Sequence, residues 1–128
     1  MVGPGAEMFR TPARAAERYL DCLERRVALG DRSGSAEAFE GLASILAVGG
    51  IPSEAVTLLG QAEALRAETK AVALPAHEGE MEATRRTIAG MLSDDEARGI
   101  ARAGADLELE EALARARTAV ETVVAEFR

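Results

Sequence analysis

Glycine and proline fall along this chain so as to leave segments of helical length between them, and within those segments apolar residues recur three and four apart rather than in alternation. That spacing excludes a sheet and predicts an all-α fold of about six helices. Thr11 offers an N-cap oxygen and Pro12 the favoured first helical position. A first helix is therefore expected from there to about Gly30, with Ala15, Tyr19, Cys22, Leu23 and Val27 along its apolar stripe. Residues 1–10, with Gly3, Pro4 and Gly5, read as a flexible lead-in, and 11–128 as one helical domain. After a turn over 31–35, a second helix over 36–48 puts Phe39, Leu42, Ala43 and Leu46 on one face and ends at Gly49-Gly50. Pro52 opens a third, to about Lys70, with Ala55, Val56, Leu58, Leu59, Ala62 and Leu65 inward. Ala73-Leu74-Pro75 breaks it. A fourth helix is expected over 76–92, although Gly79 in its early turns costs about 1 kcal/mol relative to alanine. Ser93-Asp94-Asp95-Glu96 is a capping box that starts a fifth, closed near Gly104, and 107–127 forms the last amphipathic segment.

Composition narrows the function. Of 128 residues 48% are hydrophobic but only 3% aromatic, enough apolar mass for one ordinary core and too few residues for a two-domain enzyme. Acidic residues outnumber basic ones 22 to 15, and the net charge of −7 repels polyanions, so nucleic acid and anionic membranes are poor partners. One cysteine and one histidine cannot build a Cys/His metal cluster or an internal disulfide. With no signal-like run at the start and no long apolar stretch, the chain reads as cytoplasmic, without membrane segment or cofactor.

Between the second and third helices the order Phe39-x-x-Leu42-Ala43-x-x-Leu46-x-x-x-Gly50-x-x-x-x-Ala55-x-x-x-Leu59-x-x-Ala62 resembles the tetratricopeptide (TPR) consensus. Small residues at Ala43, Ala55 and Ala62 let two antiparallel helices approach, and Phe39, Leu42, Leu46 and Leu59 fill the remaining space. Ala16, Leu20 and Leu23 precede Ala55, Leu59 and Ala62 by 39 residues, a longer period than the family's usual one, and Ala67 stands in place of its terminal proline. The runs Tyr19-Leu20-Asp21-Cys22-Leu23, Glu40-Gly41-Leu42-Ala43, Leu58-Leu59-Gly60-Gln61-Ala62-Glu63-Ala64-Leu65-Arg66, Leu74-Pro75 and Leu107-Glu108-Leu109-Glu110-Glu111-Ala112 extend the likeness over nearly the whole chain. They resemble the C-terminal TPR-like region of actinobacterial-type LuxR-type and predicted-ATPase transcriptional regulators. Gly79, Met81 and Glu108 depart from that pattern. The resemblance implies antiparallel helix pairs in a repeat array and a scaffolding or ligand-sensing role, with no catalytic residue.

The residues support no rival chemistry. His77, two residues after Pro75, reads as a solvated residue in a first helical turn, without the partnered nucleophile a hydrolase needs. Cys22 sits on the apolar stripe beside Leu23 and reads as structural and buried. The carboxylates at 94–96 and 108–111 suit helix first turns through the backbone dipole. Gly3-x-Gly5 and Gly49-Gly50 lack the rest of a phosphate loop. Arg10, Arg14 and Arg18 share one stripe but sit among Glu7, Glu17, Asp21 and Glu24, as on a salt-bridged solvent face.

What remains is surface. The TPR resemblance implies a concave groove lined by the first helix of the pair, here Glu37, Glu40, Ser44, Ala47 and Val48, whose acidic rim would suit a basic or amphipathic peptide. In the last helix Leu109, Leu113, Ala116, Val120, Val123 and Phe127 form a heptad seam too short for a free coiled coil. It either folds back as a cap on the fourth and fifth helices or pairs with a second copy through Leu113, Val120, Val124 and Phe127, making a homodimer. The expected function is a non-catalytic protein–protein interaction module of a bacterial signalling or transcriptional system. The alternatives are a structural or self-associating helical domain and a small-molecule sensor.

Overall fold

The computed structural model describes the backbone of residues 4–70 and 75–126 and the side chains of 12–70 and 77–126. Six helices follow in order, α1 (Pro4–Ala28), α2 (Arg32–Val48), α3 (Pro52–Thr69), α4 (Pro75–Ala89), α5 (Asp94–Ala105) and α6 (Leu109–Glu126), with no strand among the described residues.

The first helix begins at Pro4, not at Thr11. Pro4 holds the first-turn position that suits proline, and Pro12 stands inside the helix, where it has no amide hydrogen to donate to the preceding turn. The helix ends follow from identifiable devices. Gly30 and Gly50 adopt left-handed φ of 74° and 81°, and each closes a helix with the same pair of bonds. The amides of Asp31 and Ile51 reach back to the carbonyls of Arg26 and Leu46, while those of Gly30 and Gly50 reach Val27 and Ala47. The segment expected as a turn over 31–35 is the first turn of α2, because the Asp31 carboxylate accepts the Gly34 amide and starts the helix early. Ser93 and Glu96 form the expected reciprocal capping box of α5. At α6 the Glu111 carboxylate accepts the Glu108 amide, so glutamate supplies half of such a box where serine is absent.

The core is a single cluster centred on α2 and α3. Phe39, Leu42, Leu46 and Leu58 are fully enclosed, with Leu23 from α1 and Val123 from α6 against them. Cross-helix contacts fix direction. Tyr19 lies over Gly41 while Arg26 donates to the Gly34 carbonyl, so α1 and α2 run antiparallel. α3 and α5 are also antiparallel: Gly60 faces the Ala101 backbone and Gly104 faces that of Thr57. A methyl group at either glycine would collide with the opposing backbone, and α3 and α5 approach closely because neither carries one there. At the same crossing the buried Gln61 amide donates to the carbonyls of Gly104 and Leu107, satisfying groups at the C-terminal end of α5. Ala43 of α2 and Ala55 of α3, expected at the closest approach, are both fully buried.

α6 folds back inside the chain. Its principal neighbours are α1, α3 and α2, rather than the α4 and α5 expected for a terminal cap. The chain thus closes α6 beside α1 around the α2–α3 pair.

Candidate functional site

Of the five residues expected to line an open groove, the structure leaves Glu37 and Val48 exposed and covers the rest. Ala47 is buried. Ser44 shares a 2.7 Å hydroxyl hydrogen bond with Thr84 of α4. The Glu40 side chain is only 9% exposed and meets Arg66 of α3 and His77 of α4. The face of α2 that carries these residues is therefore occupied by α4.

Glu40 is the centre of this junction. Arg66 binds it with two donors, Nε to Oε2 at 2.7 Å and Nη2 to Oε1 at 2.6 Å, and His77 Nε2 lies 2.7 Å from Oε1. Burial pushes the Glu40 carboxyl up, but the hydrogen bonds and charges of Arg66 and then His77 outweigh it and hold the group below the ordinary carboxylate value. Glu40 in turn raises the Arg66 guanidinium above its ordinary value. Both carboxylate oxygens are engaged, so this arrangement clamps three helices together. His77 is accordingly a half-buried partner of Glu40 and not the solvated residue expected. Glu40 falls three and four residues from Ala43 and Ala36 on the buried stripe of α2, and a carboxylate on such a stripe implies a basic partner from another helix. That signal was available in the sequence. Its partners were not, because His77 is 37 residues away.

Cys22 is half-buried, short of the full burial expected. Arg14 and Arg18 are exposed and make no ion pair among the described residues, and Arg10 lies outside the described side chains. The ion pairs of α1 are instead Arg25–Asp21, Arg26–Glu37 and Arg117–Glu24. Among the described residues no cluster of His, Cys, Asp and Glu could hold a metal ion, and no helix is long and apolar enough to cross a membrane. Of the final helix's proposed self-association residues, Leu113, Val120 and Val124 are buried within the chain, and Phe127 lies outside the described residues.

An open, largely apolar groove of about 320 Å³ lies between α3, α4 and α5. Each helix contributes one stripe with the spacing of a single helical face: Val56, Leu59, Gly60 and Glu63 from α3, Arg85, Ile88 and Ala89 continuing to Leu92 from α4, and Asp94, Ala97, Arg98 and Ala101 from α5. Its floor is aliphatic. Its rim carries both signs of charge, Glu63 and Asp94 against Arg85 and Arg98. Sequence reasoning missed it because helical periodicity does not say how three successive helices pack, and its floor residues read as ordinary core positions. Gly60 was the available hint, since a glycine in mid-helix costs stability unless close packing requires it.

No family model, curated protein or solved structure matches the chain in comparisons with each.

Proposed function

We propose that the chain is a non-catalytic interaction module that receives an amphipathic helix of a partner protein in the α3–α4–α5 groove. The observation that supports this is the groove itself, in which three helical stripes converge on one aliphatic floor. Ridges of a fourth helix fit such rows, and a helix with apolar residues three and four apart would cover Leu59, Ala89 and Ala97. Because the rim alternates in sign, the partner helix would flank its apolar stripe with both basic and acidic residues, meeting Glu63 and Asp94 with the first and Arg85 and Arg98 with the second. The resemblance to TPR-like regions of bacterial regulators supports a place in cytoplasmic signalling or transcriptional control.

Ala89 is exposed on the groove wall, so Ala89→Glu introduces a charge into the seat without disturbing the core. The test is capture of partners from the native host by the wild type, by Ala89→Glu and by a Thr118→Glu control on α6, with a photo-crosslinker at Arg98. A partner crosslinked at Arg98 in the wild type and control but lost from Ala89→Glu supports the reading. A partner retained by Ala89→Glu, or none crosslinked at Arg98, removes it. A volume of about 320 Å³ is also enough for a small molecule, and a metabolite recovered with the wild type in place of a protein would shift the reading to a sensor.

A further inference from the structure

A second groove, of about 400 Å³, lies on another side of the molecule between α1 and α6. From α1 it is lined by Glu17, Leu20, Asp21 and Glu24, and from α6 by Arg117, Val120, Glu121 and Val124. The two sets have identical spacing, so two helical faces run side by side with Leu20, Val120 and Val124 at the bottom and charges along both walls. Four carboxylates face one guanidinium. Arg117 is already engaged with Glu24 at 2.9 Å, and Asp21 is paired with Arg25 at 3.0 Å. Glu17 and Glu121, one on each wall, are exposed and make no ion pair among the described residues.

The geometry points to this groove as a docking seat for a basic amphipathic helix of a partner protein. Such a helix sets its apolar residues over Leu20, which is partly exposed, with the buried Val120 and Val124 as the floor beneath, and carries lysine or arginine on each flank to meet Glu17 and Glu121. A second copy of this chain is disfavoured here, because a two-fold contact brings the same patch against itself and would set the four carboxylates of one copy against those of the other. The chain's net charge of −7 adds to that repulsion and also favours encounter with a cationic partner. This seat is separate from the α3–α4–α5 groove, with which it shares no lining residue.

The experiment titrates the isotopically labelled full chain with a short amphipathic leucine/lysine helix, and separately with its leucine/glutamate counterpart, following amide resonances. The leucine/lysine peptide is expected to shift signals along both walls of the groove, and the leucine/glutamate peptide to shift none. Glu17→Gln with Glu121→Gln should weaken binding on the order of fivefold. Glu108→Gln with Glu110→Gln, which removes the same charge from an exposed site elsewhere, should leave it within about twofold. Ala89→Glu should also leave it unchanged, so failure of the other groove does not touch this one. Shifts elsewhere, no shifts, or equal weakening by the two charge-neutralised pairs overturns the proposal. So does a dimer in sedimentation equilibrium that Glu121→Lys dissociates.

Discussion

α2 and α4 lie against each other, yet they are held by different forces. α2 buries nine residues, with Phe39, Leu42 and Leu46 wholly enclosed, and α3 buries eight. Among the described side chains α4 buries only Met81, Thr84 and Ile88, and its hold on α2 is reinforced by the Glu40–His77 and Ser44–Thr84 hydrogen bonds. Apolar burial is non-directional and tolerates small displacement, whereas hydrogen bonds weaken steeply when their geometry is lost. The α2–α3 pair should therefore behave as one cooperative unit, and α4 as a wall that opens more easily. Because α4 also walls the proposed partner groove, this difference bears on binding.

The largest effect should come from the inner pair. Phe39→Ala is expected to cost about 3–5 kcal/mol and to lower thermal stability reported by every helix together. A loss confined to α4 would break the comparison. Next comes the α3–α5 crossing, where Gly104→Ala is expected to destabilise by about 1–3 kcal/mol, despite alanine's better helix propensity, because its methyl group meets the Thr57 backbone. An unchanged or raised melting temperature would show that the two helices can separate freely.

Glu40→Gln probes the clamp. It leaves Arg66 and His77 without their anion, and a cost of about 1–3 kcal/mol is expected in chemical denaturation. The pH dependence has a definite sign. The folded-state value of Glu40 lies below the unfolded one, so its contribution is complete above the ordinary carboxylate range and is lost as pH falls through the lowered folded value. Acid titration of stability should therefore be shallower in Glu40→Gln than in the wild type. A parallel pair of curves would mean that the carboxylate's ionisation is not linked to folding.

The smallest effect belongs to the α5 cap. Ser93→Ala should cost about 1 kcal/mol and show as faster amide exchange in the first turn of α5 alone. The Ser93 backbone amide and hydroxyl hold the Glu96 carboxyl below its ordinary value, so removing the hydroxyl should also raise the Glu96 titration seen by nuclear magnetic resonance.

The residues that could be read in the sequence were those whose effect is local. Gly49-Gly50 followed by Pro52 marked the α2–α3 turn, Ser93 with Glu96 marked the start of α5, and the three–four spacing marked an all-helical chain. Pro12 misled because proline marks a helix start only by preference, and here Pro4 holds that place. Asp31 reads in the sequence as part of a turn because an N-cap and a turn residue have the same chemistry. The sites were less legible, since each needs side chains from separate helices. Glu40 waits on Arg66 and His77, Leu20 on Val124, and Leu59 on Ile88 and Ala97. Helical periodicity says which face is buried without saying which helix buries it, so the apolar stripe of α6 fits α4 and α5 or a second copy as well as the α1 and α3 that cover it.

Native-state hydrogen exchange on the wild type at neutral pH tests the distinction most directly. Amides of α4 over 79–89 should exchange through a local opening of lower free energy than the amides of α2 and α3, whose slowest members exchange only with global unfolding. Glu40→Gln should lower the opening free energy of α4 further. If α4 exchanges at the same free energy as the α2–α3 pair in both proteins, α4 is part of the cooperative core, and the account of a polar clamp on an adjustable wall is wrong.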